Sequence, residues 1–313
     1  MFKLLKIILL CGWLFIFLNS IGQDTGLHYQ DENYFFPYDL LNANHHWELP
    51  NKLEEISGLS YSEDNRLACV QDEKGNIYIF NSNTGEVEQK IDFGNDDDYE
   101  GIEIIGQDAW VMNSKGTLFL VKNYLNEDIL NVEKFNTEFT GKNDTEGLGY
   151  DPSSGNLLIA CKGHPFVDEK HGKEFKAVYF FNTEAKKIDR EPFLLIELDS
   201  IKYYKNYNTM TRLGVELLAY FDDSKGDLSF QPSAIAVHPL SGNIYILAAV
   251  GNLLIVYSRE NKMLAMNKLK SKFHPQPEGI CFGPDGTLYI ANEGDGGHGS
   301  IQAYTMIQGD YKK

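Results

Sequence analysis

A short phrase recurs along this chain, and its spacing limits the possible folds more than any other feature. An acid or a serine stands before a glycine, or once an alanine, where an apolar run begins: "EISGLSY", "DYEGIEII", "DTEGLGY", "QPSAIAV" and "QPEGICF". The small residues are Gly58, Gly101, Gly147, Ala234 and Gly279, which follow one another by 43, 46, 87 and 45 residues. A repeat of this length, filled with short β-type runs, is typical of propeller blades. The sequence therefore predicts an all-β chain with a single β-propeller domain.

The residues between these phrases repeat as well. Each unit gives a first strand, a turn rich in Asp, Pro, Ser or Gly, a second strand, a glycine hairpin and a third strand. A fourth, outer strand follows in runs such as "EVEQKIDF" and "EPFLLIEL", so the blades are predicted to be four-stranded and antiparallel. The last unit lacks a fourth strand. The segment "DLLNANHHWELP" before the first unit is predicted to supply it and to close the ring.

The long step of 87 residues decides the number of blades. Its first half completes blade three near Leu198, and the residues that follow contain no acid-glycine strand. Leu213, Leu217 and Tyr220 would share one face of a short helix there. The sequence favours five blades with a helical insertion at about 199–230, and six blades is the alternative.

Residues 1–22 have the layout of a secretory signal peptide, with two lysines, an apolar run from Ile7 to Leu18, and small residues at Ser20 and Gly22. An uncleaved N-terminal anchor is the alternative. Residues 23–313 would then form the exported propeller, which is periplasmic, displayed on the cell surface or secreted. No later stretch is apolar over a length that spans a bilayer.

The chain is acidic, with a formal net charge of −17 at pH 7. This charge argues against nucleic acid or an anionic membrane as a partner, and we expect a monomer. Beyond the signal peptide, Cys69, Cys161 and Cys281 each stand inside an apolar run. Their number and wide spacing indicate buried free thiols and neither a disulfide framework nor a zinc motif.

The repeated acids are predicted to meet at the channel. The first strand of a propeller blade lines the central channel, so the residues before the small residues should form one ring: Ser57, Glu100, Glu146, Ser233 and Glu278. Three carboxylates on one axis need a counter-charge, and oxygen ligands of adaptable geometry suit Ca²⁺. The alternatives are a solvated acidic rim without an ion, or acids paired with lysines.

A second set of polar residues surrounds this ring. Two positions earlier in each unit stand Glu55, Asp98, Asp144, Gln231 and Gln276. The hairpins "EKG", "SKG" and "CKG" carry Lys74, Lys115 and Lys162, with His164 nearby. Asp98, Asp144, Gln276, Lys115, Lys162 and His164 are predicted as a ligand rim. Ordinary turn chemistry is the alternative explanation of the lysines.

These segments together resemble the SdiA-regulated family (the YjiK/CarP type) over nearly all of the region after the signal peptide. The segments are "EISGLSY", "RLACVQDEKGNIYIF", "DYEGIEII", "DTEGLGYDP", "QPSAIAVHP" and "QPEGICFGPDGTLYIANEG". The resemblance implies a bacterial envelope-associated propeller with a link to calcium. It also implies distant kinship with phytase-like, esterase-like and apyrase-like propellers. Serine at two of the five ring positions departs from full symmetry of the ring.

Two functions are therefore open. The first is an exported calcium-binding propeller that acts as a ligand-binding or scaffold protein of the bacterial envelope, with a small anionic ligand or an envelope protein as partner. The alternative is a calcium-dependent phosphohydrolase at the channel mouth, with Glu100, Glu146 and Glu278 on the metal. The shortage of arginine beside the acid-glycine phrases weighs against the phosphohydrolase. The sequence identifies no catalytic residue.

Overall fold

A computed structural model describes residues 26–126, 130–167, 174–205, 230–294 and 296–307. The predicted signal peptide lies outside these ranges, as do residues 206–229 of the predicted insertion. Within the described residues, no helix is long and apolar enough to cross a membrane.

The first half of the chain forms two N-terminal strands and two complete blades. The strands before the first blade are β1 (Leu27–Gln30) and β2 (His45–Glu48), followed by the 3₁₀ helix Asn51–Leu53. Blade one consists of β3 (Ile56–Tyr61), β4 (Arg66–Gln71), β5 (Asn76–Asn81) and β6 (Glu86–Asp92). Blade two consists of β7 (Tyr99–Ile105), β8 (Asp108–Asn113), β9 (Leu118–Lys122) and β10 (Asn131–Phe135).

The second half forms three more blades. Blade three consists of β11 (Thr145–Asp151), β12 (Asn156–Cys161), β13 (Phe175–Asn182), β14 (Lys187–Ile188) and β15 (Leu194–Glu197), and helix α1 (Leu198–Lys205) follows it. Blade four consists of β16 (Ala234–Val237), β17 (Ile244–Ala248), β18 (Leu253–Tyr257) and β19 (Met263–Lys268). Blade five consists of β20 (Pro277–Phe282), β21 (Leu288–Asn292) and β22 (Ser300–Tyr304).

The strands of the described ranges pair into five antiparallel sheets, which confirms the prediction of five blades over the alternative of six. The first strand of each blade is innermost, and the inner strands contact one another in the cyclic order β3, β7, β11, β16, β20 and again β3. These five strands therefore surround one axis and all start at the same end of the channel. We call that end the upper mouth and the opposite end the lower mouth.

The N-terminal strands add to the last two blades. β2 pairs with β22 through His45↔Ala303 and Glu48↔Ser300, and it is the outer strand of blade five. β1 pairs with β19 as a fifth strand of blade four. The second pairing was not predicted, because "LHYQ" is too short to stand out as a strand.

The apolar residues form five clusters, and each cluster lies between two adjacent blades. The cluster between blades five and one joins Tyr289 and Ile301 to Leu59 and Phe80. The second strand of each blade is buried along nearly all of its length because both of its faces pack against neighbouring blades. Among the described residues, Cys69, Cys161 and Cys281 are buried free thiols, as predicted.

Candidate functional site

Four of the five predicted ring residues occupy β-bulges at the upper mouth. The pairing of inner and second strands shifts register between Ile56 and Gly58, Tyr99 and Gly101, Thr145 and Gly147, and Pro277 and Gly279. The residues skipped by the pairing are Ser57, Glu100, Glu146 and Glu278. A bulge leaves one residue unpaired and redirects its side chain. The acid-glycine phrase is thus the sequence of a bulge that points an acid at the channel.

The small residue after each bulge serves the contact between inner strands. A Cβ added at Gly101 would stand 2.6 Å from the Cβ of Leu148 in blade three, and one at Gly279 would stand 2.9 Å from the Cβ of Leu59 in blade one. Side chains there would push neighbouring blades apart. Glycine therefore lets the inner strands pack closely around the axis.

The ring residues line a narrow cavity on the axis. It is bordered by Ser57, Glu100, Glu146 and Glu278 together with the backbone of the glycines beside them. Its volume is about 10 Å³, which is room for about one water molecule or ion. The structure thus brings the three glutamates of three blades to one small space.

The two serines are engaged with the neighbouring blade. The Ser57 hydroxyl donates to the carbonyl of Tyr99 at 2.7 Å, and the Ser233 hydroxyl donates to the carbonyl of Pro277 at 2.8 Å. Ser57 lines the cavity, whereas Ser233 lies just before β16 and does not line it. Both hydroxyls keep oxygen lone pairs, so their role as ligands stays a prediction.

Burial and mutual repulsion favour the neutral forms of the three glutamates. Burial, followed by the charge of Glu146, raises the pKa of Glu100 to about 10. Burial and the charge of Glu278 raise the pKa of Glu146 to about 8, against the lowering effect of Lys162. Burial also raises the pKa of Glu278 to about 7. The ring therefore has less positive charge near it than three ionised carboxylates require.

Lys162 is the basic residue of the described ranges that pairs with a ring glutamate. Its ammonium donates to Oε1 of Glu146, and the Glu146 side chain is only 6% exposed. The other oxygen of Glu146, Oε2, is buried without a hydrogen-bond partner. An unpaired buried carboxylate oxygen is costly, so this atom is a place where a cation or a donor would be stabilised.

As they stand, the described acids are not assembled around a metal. No group of three or more His, Cys, Asp or Glu side chains in the described ranges has the arrangement of metal ligands. The glutamates share the cavity, but Glu146 is paired with Lys162. The chemistry of the donor set and the orphan Oε2 nevertheless fit a hard cation.

Asp72 and Ser114, which the sequence did not single out, occupy the same backbone position in their blades as Lys162 and Glu293. The backbone N–H of Asp72, Ser114, Lys162 and Glu293 donates to the carbonyl of Glu55, Asp98, Asp144 and Gln276, respectively. Each of these four residues directly follows the second strand of its blade. This backbone position is the same in the four blades, but its residue type differs from blade to blade, so no sequence motif identifies it.

The three hairpin lysines lie at different distances from the end of the second strand of their blade. Lys162 follows its strand by one residue, Lys115 by two and Lys74 by three. Lys74 forms an exposed ion pair with Asp96 at 2.6 Å, and Lys115 is exposed. Only Lys162 of the three is joined to a ring glutamate.

The remaining predicted rim residues have partners of their own. Ser114 donates to Asp98, and the Gln276 amide donates to Glu293. The half-buried His164 ring lies with Nδ1 3.1 Å from the carbonyl oxygen of Phe166. Asp144 has a left-handed backbone with φ of 49°.

Two further acids lie at the upper mouth, and their pKa values are raised as well. Burial, then the hydrogen bond and charge of Glu55, raise the pKa of Glu293 to about 8. Burial and neighbouring acids raise the pKa of Asp72 to about 6, and its Oδ1 is buried without a partner. The upper mouth is therefore a place that stabilises positive charge.

One protein family matches more than half of this chain. The sequence profile of the family described as SdiA-regulated matches residues 40–225, which is more than half of the chain. The chain belongs to the SdiA-regulated family. The family segment begins before β2 and extends past blade three, so it includes Ser57, Glu100 and Glu146.

Other comparisons of this SdiA-regulated chain are less close. No curated protein matches it. Among solved structures, it is similar to a luciferin-regenerating enzyme, with 12% identity, TM-score 0.49, and coverage of 83% of this chain and 95% of that one. It is also similar to a streptogramin B lyase, with 12% identity, TM-score 0.46, and coverage of 83% and 97%. A catalytically inactive virginiamycin B lyase from Staphylococcus aureus with quinupristin gives 11% identity, TM-score 0.48, and coverage of 84% and 99%.

Proposed function

We propose that this protein is an exported calcium-binding propeller that acts as a ligand-binding or scaffold protein of the bacterial envelope. The observation that carries the proposal is the upper mouth, where bulges of three blades direct Glu100, Glu146 and Glu278 to one cavity of about 10 Å³. Glu146 Oε2 is buried there without a partner. Carboxylate oxygens without soft ligands suit Ca²⁺ better than zinc or copper.

The three glutamates would hold the ion, and Ser57 would add a hydroxyl oxygen. Calcium accepts six to eight oxygens in flexible geometry, whereas Mg²⁺ requires a tight octahedron and keeps its waters. A ring drawn from several blades offers irregular geometry, which favours Ca²⁺. When bound, the ion supplies positive charge at the mouth, which an anionic ligand or an acidic protein surface would contact.

Export supports this proposal, because calcium modules outside the cytosol work at Kd values of about 10⁻⁴–10⁻³ M. The signal-peptide layout of residues 1–22 is the basis for export. Mass spectrometry of the protein recovered from cell fractions would test it. A mature chain that begins near Gln23 is expected, and a cytosolic chain that keeps residues 1–22 would contradict export.

Lys162 sets the sharpest test, because it and the ion would compete for Glu146. Calorimetric titration of metal-stripped protein with Ca²⁺ should show uptake by the wild type and weaker uptake by Glu146→Gln. Lys162→Met should bind Ca²⁺ more tightly, because the variant lacks the ammonium on Glu146. The two changes thus act in opposite directions.

Two exposed residues provide matched controls. Glu184→Gln removes an exposed carboxylate in blade three, and Lys115→Met removes an exposed hairpin lysine. Both controls should bind Ca²⁺ like the wild type. If neither the wild type nor Lys162→Met takes up Ca²⁺ at millimolar concentration, the metal proposal fails and Lys162 is the permanent counter-charge of the ring.

The phosphohydrolase alternative has no observation in its favour. Lys162, which would steady a phosphate, donates to Glu146 instead. We therefore advance the binding function alone.

A further inference from the structure

A second cavity opens at the lower mouth of the channel. It has a volume of about 660 Å³ and is formed where four inner strands end, at Ser60, Ile104, Val237 and Phe282. Ligand pockets for small organic molecules measure about 300–1,000 Å³. The cavity lies at the opposite end of the inner strands from the glutamate ring and shares no lining residue with it.

Slightly more than half of the residues that line this cavity are apolar. Tyr61, Ile104, Val237, Pro239 and Phe282 are among the lining residues. Two of these are aromatic, and aromatic faces attract organic cations as well as apolar groups. The walls would therefore hold the hydrocarbon part of a ligand.

The charged groups of the lining are all acidic. Glu63 and Asp64 lie in the turn after β3, and Glu103 projects from β7. The lining contains no Lys, Arg or His. Arg66, on the next strand, is held by Glu88 at 2.8 Å and is 3.7 Å from Asp64. Arg66 therefore partly neutralises Asp64, and a cation in the cavity would find its partner at Glu103.

Glu103 is the fixed polar group of the cavity. Its Oε1 accepts the backbone N–H of Tyr150 at 3.1 Å, and the Ser60 hydroxyl also hydrogen bonds to it. Ser60 is held in turn by the N–H of Ile104 at 3.0 Å. Among the described residues, no basic side chain forms an ion pair with Glu103. The carboxyl is therefore positioned by blades one and three and has no counter-ion.

We propose that the lower mouth is a binding site for a small organic ammonium compound with an apolar body, whose cationic group pairs with Glu103. The apolar walls, the aromatic rings and the purely acidic charge of the lining together select this class. Small carboxylates and phosphates would be repelled. The site is separate from the calcium site and does not depend on it.

The ionisation of Glu103 adds a distinctive property. Burial raises the pKa of Glu103 to about 8, so the empty site is largely protonated at neutral pH. The groups near Glu103 are the Ser60 hydroxyl, the Tyr150 N–H and the buried Cys281 thiol, whose pKa is raised. Glu63 and Asp64 line the same cavity. Pairing with an ammonium requires the ionised carboxyl, so affinity should rise from about pH 6 to about pH 9.

The test uses three probes of similar shape: 2-phenylethylamine, 3-phenyl-1-propanol and 3-phenylpropanoate. Calorimetry and saturation-transfer NMR are run with excess Ca²⁺ present, so that the upper mouth is not available to the amine. The amine should bind, the alcohol more weakly and the carboxylate not at all. Glu103→Gln should weaken amine binding by at least about tenfold and remove its pH dependence. Glu184→Gln, which is the same substitution at an exposed position of blade three, should have no effect.

A second variant and a second measurement keep the test decisive if Glu103→Gln does not fold. Val237→Phe narrows the cavity from blade four and keeps the Glu103 side chain, and it should also block the amine. For the wild type alone, the amine should raise the melting temperature and the carboxylate should not. Equal binding of the amine by Glu103→Gln, preference for the carboxylate, or no wild-type binding of a series of aryl and alkyl amines would overturn the proposal.

Discussion

Asp151 and Arg259 connect blade three to blade four through a two-pronged ion pair. The guanidinium donates to the two carboxylate oxygens at 2.8 and 2.7 Å, and the Asp151 side chain is 1% exposed. Burial would raise the pKa of Asp151. Hydrogen bonds from Arg259, Ser154 and Ser153 more than offset that effect, so this pKa lies well below its ordinary value.

Removing Arg259 should therefore destabilise the propeller. Arg259→Met leaves a buried carboxylate without its cation, so about 2–3 kcal/mol of unfolding free energy should be lost. The loss is smaller than for a fully buried pair because Arg259 is partly exposed. The contribution of a lowered pKa is present above the unfolded-state pKa of about 4, and it is lost progressively as pH falls from there through the lower folded-state pKa. Urea unfolding at pH 7 measures the loss, and a series from pH 7 to about pH 2 should show the difference between wild type and variant becoming smaller.

Arg66 provides the comparison for this experiment. It pairs with Glu88 at 2.8 Å, but both side chains are about one-third exposed. Arg66→Met should change the unfolding free energy little, because exposed ion pairs are screened by water. Equal losses in the two variants would show that the Asp151 pair has no special role.

At the scale of elements, the inner strand with its bulge is the unit that repeats. Glycine follows the bulge in four blades, and none of these four glycines has a positive φ. Glycine is needed at these positions because a side chain would not fit between the inner strands, and not because the backbone conformation is unusual. The same short element thus positions the acid and sets the distance between blades.

Gly101→Ala tests this reading of the repeat. The added Cβ would lie 2.6 Å from the Cβ of Leu148 and 3.3 Å from the carbonyl oxygen of Glu146. Because backbone and inner-strand atoms cannot move aside cheaply, we expect a loss of about 1–3 kcal/mol in unfolding free energy. Chemical denaturation provides the measurement.

The matched control is Gly141→Ala. A Cβ at Gly141 would meet nothing within 4 Å, and its φ is not positive. Alanine there should leave stability unchanged or raise it slightly, because it restricts the unfolded chain. A Gly101→Ala variant as stable as Gly141→Ala would contradict the packing role of the repeated glycine.

The repeat explains how much could be predicted from the sequence. Glycine and acid recur at a fixed step because every inner strand meets the same packing constraint, so blade number and the glutamate ring were predictable. Lys162 was grouped with Lys74 and Lys115 because all three precede a glycine. Its contact with Glu146 depends on where β12 ends, which the motif does not reveal. Glu103 could not be found in this way, because an acid at its position does not recur in the other blades.

The N-terminal segment shows another limit of sequence patterns. Phe36, Tyr38 and Leu40 are buried between blades four and five. The Tyr38 hydroxyl donates to the carbonyl of Gly286 at 2.6 Å and lies 2.9 Å from Nε2 of His238. These contacts join positions about 200 and 248 residues apart. Such contacts depend on the closed ring, so local periodicity does not predict them.

At the scale of the whole molecule, the closed ring gathers charges that the unfolded chain keeps apart. Glu100, Glu146 and Glu278 belong to different blades, and their raised pKa values arise only in the folded state. An unfolded glutamate has a pKa near 4.3. Between these values the folded chain holds more protons than the unfolded chain, so stability must fall as pH rises.

The metal-free protein should therefore melt at progressively lower temperature from about pH 5 to about pH 9. Glu100→Gln should melt like the wild type near pH 5, where Glu100 is neutral in the folded protein. It should melt higher than the wild type near pH 9, where the wild type must either ionise the buried Glu100 or hold a proton that solvent at this pH would remove.

Calcium binds the ionised carboxylates and displaces their protons, so it should raise the wild-type melting temperature more at pH 9 than at pH 5. Calorimetric scans with chelator and with Ca²⁺ measure both slopes, and Glu184→Gln serves as the control with equal net charge. Identical pH slopes for wild type and Glu100→Gln would show that the ring carboxyls are not held neutral by the fold. A calcium response independent of pH would place the ion away from them.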